Sequence, residues 1–325
     1  MTGDFMTSVV VATYNGEKYI LEQIESIYNQ TVAADEVIVC DDCSTDTTVS
    51  IVKKFIAKNK CSNWKVIESN NNQGYCFNFY RGINESNGNI IFLSDQDDVW
   101  LPQKIEKMTD AMTDRTIMAL SSRYIVINGN SDEIKDSGIS YLGSVFDGSI
   151  EDISVDSQIG CSWVRGFSMC FRSEIKQYMM PLDFKSLLSH DWYISMLSAL
   201  VGRSCFLNSV LTKYRYHESN VSLAAMNRKT LAGTTMAKRI AGLEESTEGH
   251  KSLISGTFPN MTQNNKRQIC RFIKLEEKRK KYLQNGNFFL WLSLVAYMDE
   301  YKRYYKSLKG GLRVWIGDIV YKIKK

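Results

Sequence analysis

Residues 89–100 read NIIFLSDQDDVW: an apolar run of strand length ends in Asp95, Asp97 and Asp98, then turns apolar again at Val99 and Trp100. A second run of this kind, EVIVCDDCSTD (36–46), ends in Asp41 and Asp42, with Asp46 close behind. Outward from these, Ser8–Ala12 (SVVVA) is a third strand of the same character and Val66–Glu68 a shorter one. Helical spacing falls between them, over Lys18–Tyr28, Thr47–Lys58 and Phe77–Asn84. Near-continuous Val/Ile runs predict strands covered on both faces, hence parallel pairing with crossover helices. The expectation is an α/β fold with a Rossmann-like, mostly parallel central sheet flanked by helices. Ligands of such sheets bind beyond the carboxyl ends of the strands.

Further on, Pro102 suits the first turn of a helix reaching about Asp114. Residues 128–160, rich in Gly, Ser and Asp, predict a long surface excursion. Phe167–Phe171 and Leu211–Tyr216 read as strands, with a strongly apolar helix over Asp191–Val201 between them.

The 325 residues suffice for one large α/β domain and a smaller appendage, and 44% hydrophobic content supplies a core. The N-terminus lacks a basic segment followed by an apolar one, which predicts a cytoplasmic protein. Cys40-Asp41-Asp42-Cys43 is formally a CxxC, but no second pair stands at zinc spacing. The acidic residues between the thiols oppose the lowered pKa that redox chemistry needs. Reduced structural thiols are expected.

Charge is unevenly placed. Residues 1–220 hold 19 basic and 28 acidic residues, whereas 221–325 hold 21 and 8. The balance of +13 in the tail points to an anionic surface as its partner.

Asp46 fits a helix cap and Asp41 a turn. Capping does not explain Asp95-x-Asp97-Asp98, where neighbouring like charges cost free energy unless a cation offsets them. All-oxygen donors suit Mg²⁺ or Mn²⁺, and Mg²⁺ commonly takes one or two carboxylates plus substrate phosphates. No GxxxxGK[ST] loop exists, and SVVVATYNGEKYI carries only Gly16, so P-loop and dinucleotide chemistry are disfavoured. A nucleoside diphosphate held through a metal remains.

Six stretches occur in order: VVVATYNGEKYILEQIESIYNQ, VIVCDDCSTDTT, NNQGYCFNFYRGI, NGNIIFLSDQDDVWLPQKIE, and the later SHDW and YRYHESNVS. Together they resemble the family-2 inverting glycosyltransferases of GT-A fold. The likeness is greatest to the bacterial rhamnosyltransferase-type branch used in cell-surface polysaccharide (O-antigen or capsule) synthesis. It covers about residues 7–222, which makes 1–222 the expected nucleotide-sugar transferase domain and 223–325 a basic helical extension. The resemblance implies a donor of dTDP-rhamnose or UDP-hexose type and a glycan or lipid-linked acceptor. It places Thr13, Tyr14, Asn15 and Glu17 around the nucleotide, Asp42 on the N3–H of a uracil or thymine, and Asn72 and Gly74 near base or ribose. Asp95-Gln96-Asp97 is similar to the family's DxD signature, with Asp95 on ribose or metal, Asp97 on the metal, and Asp98 supporting the loop or approaching the sugar. Two departures stand out. Cys43 occupies a position often held by glycine, and Asn78-Phe79 replaces a common Ala-Arg, with Arg81 two residues too late.

Displacement at an anomeric carbon needs a base for the acceptor hydroxyl and a cation for the leaving diphosphate. His190-Asp191-Trp192 opens a helix, where an Asp is as readily a cap as a base. The resemblance assigns Asp191 as the catalytic base and His217 to the metal or diphosphate site. Arg215 or Lys213 stands as a phosphate neutraliser or a solvated charge. Trp163 and Trp192 stand as sugar-stacking or core residues, and His250 carries no reading.

In the tail, NKRQICRFIKLEEKRKKY with Ile269, Phe272, Ile273 and Leu275 reads as a basic amphipathic helix. The apolar run in 287–298 is too short to span a bilayer. Interleaved aromatics and cations fit a helix in a membrane interface, which implies peripheral attachment at the inner face of a bacterial membrane. The alternatives are helices packed on the main domain or a homodimer contact. No nucleic-acid motif accompanies the charge. Two rival functions stand beside glycosyl transfer: a nucleotidyltransferase acting on a sugar phosphate, whose basic Gly-rich loop TYNGEKY matches poorly, and a catalytically silent membrane scaffold.

Overall fold

The computed structural model describes residues 5–134, 146–160, 164–179, 189–217, 236–305 and 308–323. Four strands, β1 (Thr7–Thr13), β2 (Glu36–Asp41), β3 (Trp64–Glu68) and β4 (Ile90–Asp95), lie parallel in the order β3-β2-β1-β4. Helices α1 (Ile20–Tyr28), α2 (Thr48–Asn59) and α3 (Tyr75–Glu85) make the crossovers. The alternation of β1 shows why the run is apolar throughout. Val9 and Val11 pack with Ile24, Val37 and Val52 on one face, while Val10 and Ala12 pack with Phe79, Ile83 and Leu93 on the other.

Beyond β4 the sheet becomes mixed. Strand β8 (Met169–Arg172) runs antiparallel between β4 and β6 (Ile117–Ile127), and β6 pairs in parallel with β9 (Arg203–Arg215). Strands β5 (Val99–Trp100) and β7 (Ile150–Asp152) each pair antiparallel with β9. Helices α4 (Lys104–Ala111) and α5 (Val155–Gln158) complete this half, and α6 (His190–Val201) is buried from His190 to Leu200. The sequence pattern marks no strand at 117–127, because Ser121, Ser122 and Arg123 interrupt its apolar character. The structure buries these residues, and the Arg123 guanidinium donates to Asn208 Oδ1 at 2.6 and 3.0 Å.

The expected boundary near 222 falls within 218–235, outside the described residues. The helices that follow share the core of the sheet: Leu253 of α7 (Met236–Ser255) and Ile269 and Phe272 of α8 (Gln263–Asn285) pack with Trp192 and Phe79. The apolar stripe of the basic helix expected in a membrane interface is therefore turned inward, with Ile269, Phe272 and Leu275 all buried. The far end of α8 joins α9 (Phe288–Ser293), α10 (Met298–Tyr305) and α11 (Leu308–Ile323) around Tyr282, Leu283, Trp291 and Tyr301. Among the described residues no helix is long and apolar enough to cross a membrane. Among the described residues seven cysteines are free; Cys40 is one, and burial pushes its thiol up to about 12.

Candidate active site

Strand register brings the two acidic runs to one edge. Thr13 lies opposite Asp41 and Ala12 opposite Asp95, so β1, β2 and β4 deliver their last residues side by side. Three loops meet above them, and Gln96 ties two together. Its Oε1 accepts from the Tyr14 N–H at 2.8 Å, and its Nε2 donates to the Tyr14 carbonyl at 3.0 Å. A Cβ on Gly16 would lie 2.1 Å from Gln96 Oε1, which accounts for the glycine in TYNGEKY.

The first cluster is saturated by protein donors. Asp41 accepts from Thr13 Oγ1 at 2.8 Å and from Ser44 N and Oγ at 2.7 and 2.5 Å. Asp42 accepts from the backbone N–H groups of Gln73 at 2.9 Å and Gly74 at 2.8 Å, one on each oxygen. The carboxylate expected on a pyrimidine ring thus anchors the loop carrying Asn72 and Gly74, although a carboxylate retains further lone pairs. Asn72 Oδ1 itself accepts from Gly74 N at 3.2 Å. Glu17 accepts from Thr47 N and Oγ1 at 3.0 and 2.6 Å, and Asn15 Oδ1 from Thr45 N at 2.8 Å. Asn15 and Glu17 so brace the start of α2, while the Tyr14 side chain stays 46% exposed at the mouth. Cys43 holds the turn with φ 68°, the left-handed region a glycine takes without strain.

The second cluster is not saturated. Asp98 is fully buried; its Oδ1 accepts from Arg215 N at 3.0 Å, while Oδ2 has no hydrogen-bond partner. Burial raises the Asp98 carboxyl well above its ordinary value, and the charges of Asp97 and Asp95 push it the same way. Asp95 is raised from 3.8 to about 7, by burial first and then by Asp97 and Asp191. Asp97 meets His217, with Oδ2 and Nε2 2.8 Å apart. The His217 ring leans on Tyr19 at 5.0 Å. Among the described residues no three His, Cys, Asp or Glu side chains close into a metal cage. A cation at Asp97 and His217 would therefore be completed by oxygens from a ligand, the pattern of Mg²⁺ sites on substrate phosphates. The residues fit such an ion on two observations: the orphaned Asp98 Oδ2 behind the loop and the carboxylate–imidazole pair in front.

Two buried cations hold this loop, and the sequence shows neither role. Arg215 is fully buried rather than a solvated phosphate neutraliser. Its Nε donates to the Asp97 carbonyl at 2.7 Å, and its terminal nitrogens donate to Glu22 Oε2 at 2.6 Å and Ser131 Oγ at 2.9 Å. Lys104 is also fully buried, donating to the Phe167 carbonyl and Thr212 Oγ1 over the Trp100 ring at 3.9 Å. Burial lowers its ammonium to about 7, against the pull of Asp98 and Asp95. A helix-borne Lys and a strand-end Arg read as surface charge because their partners lie far away along the chain.

Asp191 opens α6. One oxygen accepts from Gly166 N at 3.0 Å, the other from Trp192 N at 2.7 Å and from Ser189 Oγ. Ser189 is the helix cap, so Asp191 is oriented by a cap without being it. His190 turns away, stacked on Phe79 at 4.2 Å, and burial lowers its pKa. Burial raises the Tyr75 phenol, with Cys76 and then the charges of Asp191 and Asp95 adding to it, and the Tyr75 ring meets His190 edge-on at 5.8 Å. Trp163 lies outside the described residues; Trp192 is a core residue whose Nε1 donates to the Gln158 carbonyl at 2.9 Å. His250 is buried, 3.3 Å from Glu276 and edge-on to Trp192, so it joins α7 and α8 to the helix of Asp191.

Comparisons with known proteins agree with the fold. The chain is 29% identical over 218 residues to the dTDP-rhamnosyl transferase RfbG of Shigella flexneri, covering 65% of this chain and 72% of RfbG. Among solved structures, S. aureus TarS 1-349 in complex with UDP-GlcNAc superposes with a TM-score of 0.62 at 17% identity, over 97% of this chain and 89% of that one. The mannosyltransferase PcManGT of Pyrobaculum calidifontis, in complex with GDP-Man and Mn²⁺, gives 0.56 at 17%, over 98% and 87%. These likenesses cover the C-terminal helices as well as the sheet. The sequence model of glycosyl transferase family 2 matches residues 8–172, half of the chain. The chain is a member of glycosyl transferase family 2.

Proposed function

We propose that this glycosyltransferase is inverting and metal-dependent. It moves a sugar from a nucleoside diphosphate donor, of dTDP-rhamnose or UDP-hexose type, to a hydroxyl of a glycan or lipid-linked acceptor in cell-surface polysaccharide synthesis. The observation that carries the reading is the Asp97–His217 pair beside the edge where the register of β1, β2 and β4 sets Asp41 and Asp95. Thr13, Tyr14, Asn15, Glu17, Asp42, Asn72 and Gly74 form the nucleotide side, directly or by bracing its loops. Asp95 faces the ribose or metal, and Asp98 supports the loop from behind. Asp97 and His217 would hold Mn²⁺ or Mg²⁺, the carboxylate suiting either ion. When bound, the ion neutralises charge on the leaving diphosphate.

Asp191 takes the proton from the acceptor hydroxyl as its oxygen attacks the anomeric carbon. The carbon–oxygen bond to the diphosphate breaks on the opposite side, so configuration inverts. Gly166 N–H and Ser189 Oγ fix the orientation of the carboxylate that does this. Residues 1–222 constitute the transferase domain. The basic region 223–325 places it at the inner face of a bacterial membrane, where a lipid-linked acceptor resides.

RfbG, named for a dTDP-rhamnose donor, supports the donor class. The test is incubation with a panel of dTDP-, UDP- and GDP-sugars with Mn²⁺, scoring diphosphate release and the anomeric configuration by NMR. Asp191→Asn is expected to lose about 10³-fold in transfer and keep donor affinity. Normal transfer by this variant, or silence of the native chain with every donor and no nucleotide binding, contradicts the reading.

A further inference from the structure

Of the fifteen exposed large apolar side chains among the described residues, seven lie between 288 and 320: Phe288, Phe289, Leu292, Val295, Leu312, Ile316 and Val320. Phe289 is 79% exposed, the highest of all fifteen. A concentration of this kind in a soluble-sized chain marks an interaction surface. Its two strips are locked side by side. Trp291 of α9 and Trp315 of α11 stack at 4.1 Å, and each indole N–H donates to the other's backbone carbonyl at 2.9 and 3.3 Å. The surface is therefore a fixed feature of the fold and not the fraying of two ends.

The charges on α11 identify what covers it. Among the described side chains of this helix the exposed ones are Lys309, Leu312, Arg313, Ile316 and Val320, spaced as one helical face. The only carboxylate in this helix, Asp318, points the other way, fully buried against Arg279 at 2.9 Å. Among these exposed α11 positions the charges are cations alone. A second copy docked face to face would set these cations against each other. An anionic lipid surface accepts both, with acyl chains for the apolar side chains and phosphates for Lys309 and Arg313.

We propose that α9 and α11 form a rigid docking face for an anionic bilayer, in place of the amphipathic helix at 265–281, whose apolar stripe is spent on the core. This rests only on the membrane part of the functional reading, not on donor, metal or base.

The test is co-sedimentation of the full chain with phosphatidylcholine–phosphatidylglycerol vesicles and with phosphatidylcholine alone. The native chain is expected to bind the mixed vesicles and to release as salt rises. Phe289→Ser/Leu292→Ser/Ile316→Ser is expected to weaken partitioning by about tenfold or more, and Lys309→Glu/Arg313→Glu by about tenfold. Should the serine variant fail to fold, the charge pair decides. Metal-dependent UDP binding by both variants is expected at native affinity, which separates a failed docking face from a failed active site. Equal partitioning of native and variant chains overturns the proposal. So does conversion of an oligomer to monomers by the serine variant, by light scattering, with vesicle binding intact.

Discussion

Two strands of one sheet end in paired aspartates at the same edge, and the structure treats them oppositely. After β2, every oxygen of Asp41 and Asp42 accepts a hydrogen bond from the protein. After β4, Asp98 keeps an oxygen with no partner, Asp95 is raised to about 7, and Asp97 meets the His217 imidazole. The same residue type at the same place does two jobs. A carboxylate surrounded by N–H and O–H donors fixes a turn; carboxylates that face one another, with an orphaned oxygen among them, suit a cation. Between these two strand ends, the number of protein donors distinguishes carboxylates that brace a turn from those that face one another.

Exchanging the two roles should be impossible, and mutation can probe this. Asp97→Asn should lower transfer by on the order of 10³-fold and remove the metal dependence of nucleotide binding. Its apo stability should stay level or rise, since a repelling charge is gone; a steep loss in a urea titration would instead make Asp97 structural. Asp42→Ala should do the reverse. Losing two charge-assisted bonds should cost about 3 kcal/mol of stability, read from the same titration, with nucleotide affinity falling only as the 72–74 loop loosens.

A weaker effect appears with pH. Asp95 and Asp98 bind protons more tightly folded than unfolded, so without ligand the folded chain loses stability as pH rises from 3.8 towards about 7. Mn²⁺ with UDP should offset that repulsion, so the rise in melting temperature on adding both should grow across the same window. A ligand-induced shift independent of pH would remove these carboxylates from the site. The smallest effect belongs to the saturated turn. Cys43→Gly relieves a left-handed backbone but loosens the unfolded chain, for a net gain below about 1 kcal/mol.

The alternation that builds the parallel half was legible because Val and Ile runs covered on both faces leave no other reading. The long β6 was not, since Arg123 and its serines look exposed until Asn208, 85 residues later, satisfies the guanidinium. The acidic clusters were legible as clusters, but not their division of labour, which depends on backbone N–H groups of another loop. Lys104 and Arg215 were illegible for a related reason: a buried cation is recognised by what surrounds it. The helix at 265–281 misled because amphipathicity shows that a face will be covered without showing by what.

The account's central claim is that the loop at 95–98 is a cation site completed by a diphosphate. Isothermal titration with UDP, dTDP and GDP, with Mn²⁺ and with EDTA, tests it most directly. The account predicts that at least one nucleotide binds with Mn²⁺, that EDTA abolishes this binding, and that Asp97→Asn removes it while Asp191→Asn leaves it unchanged. Equally tight binding in EDTA, or native metal-dependent binding by Asp97→Asn, would contradict it.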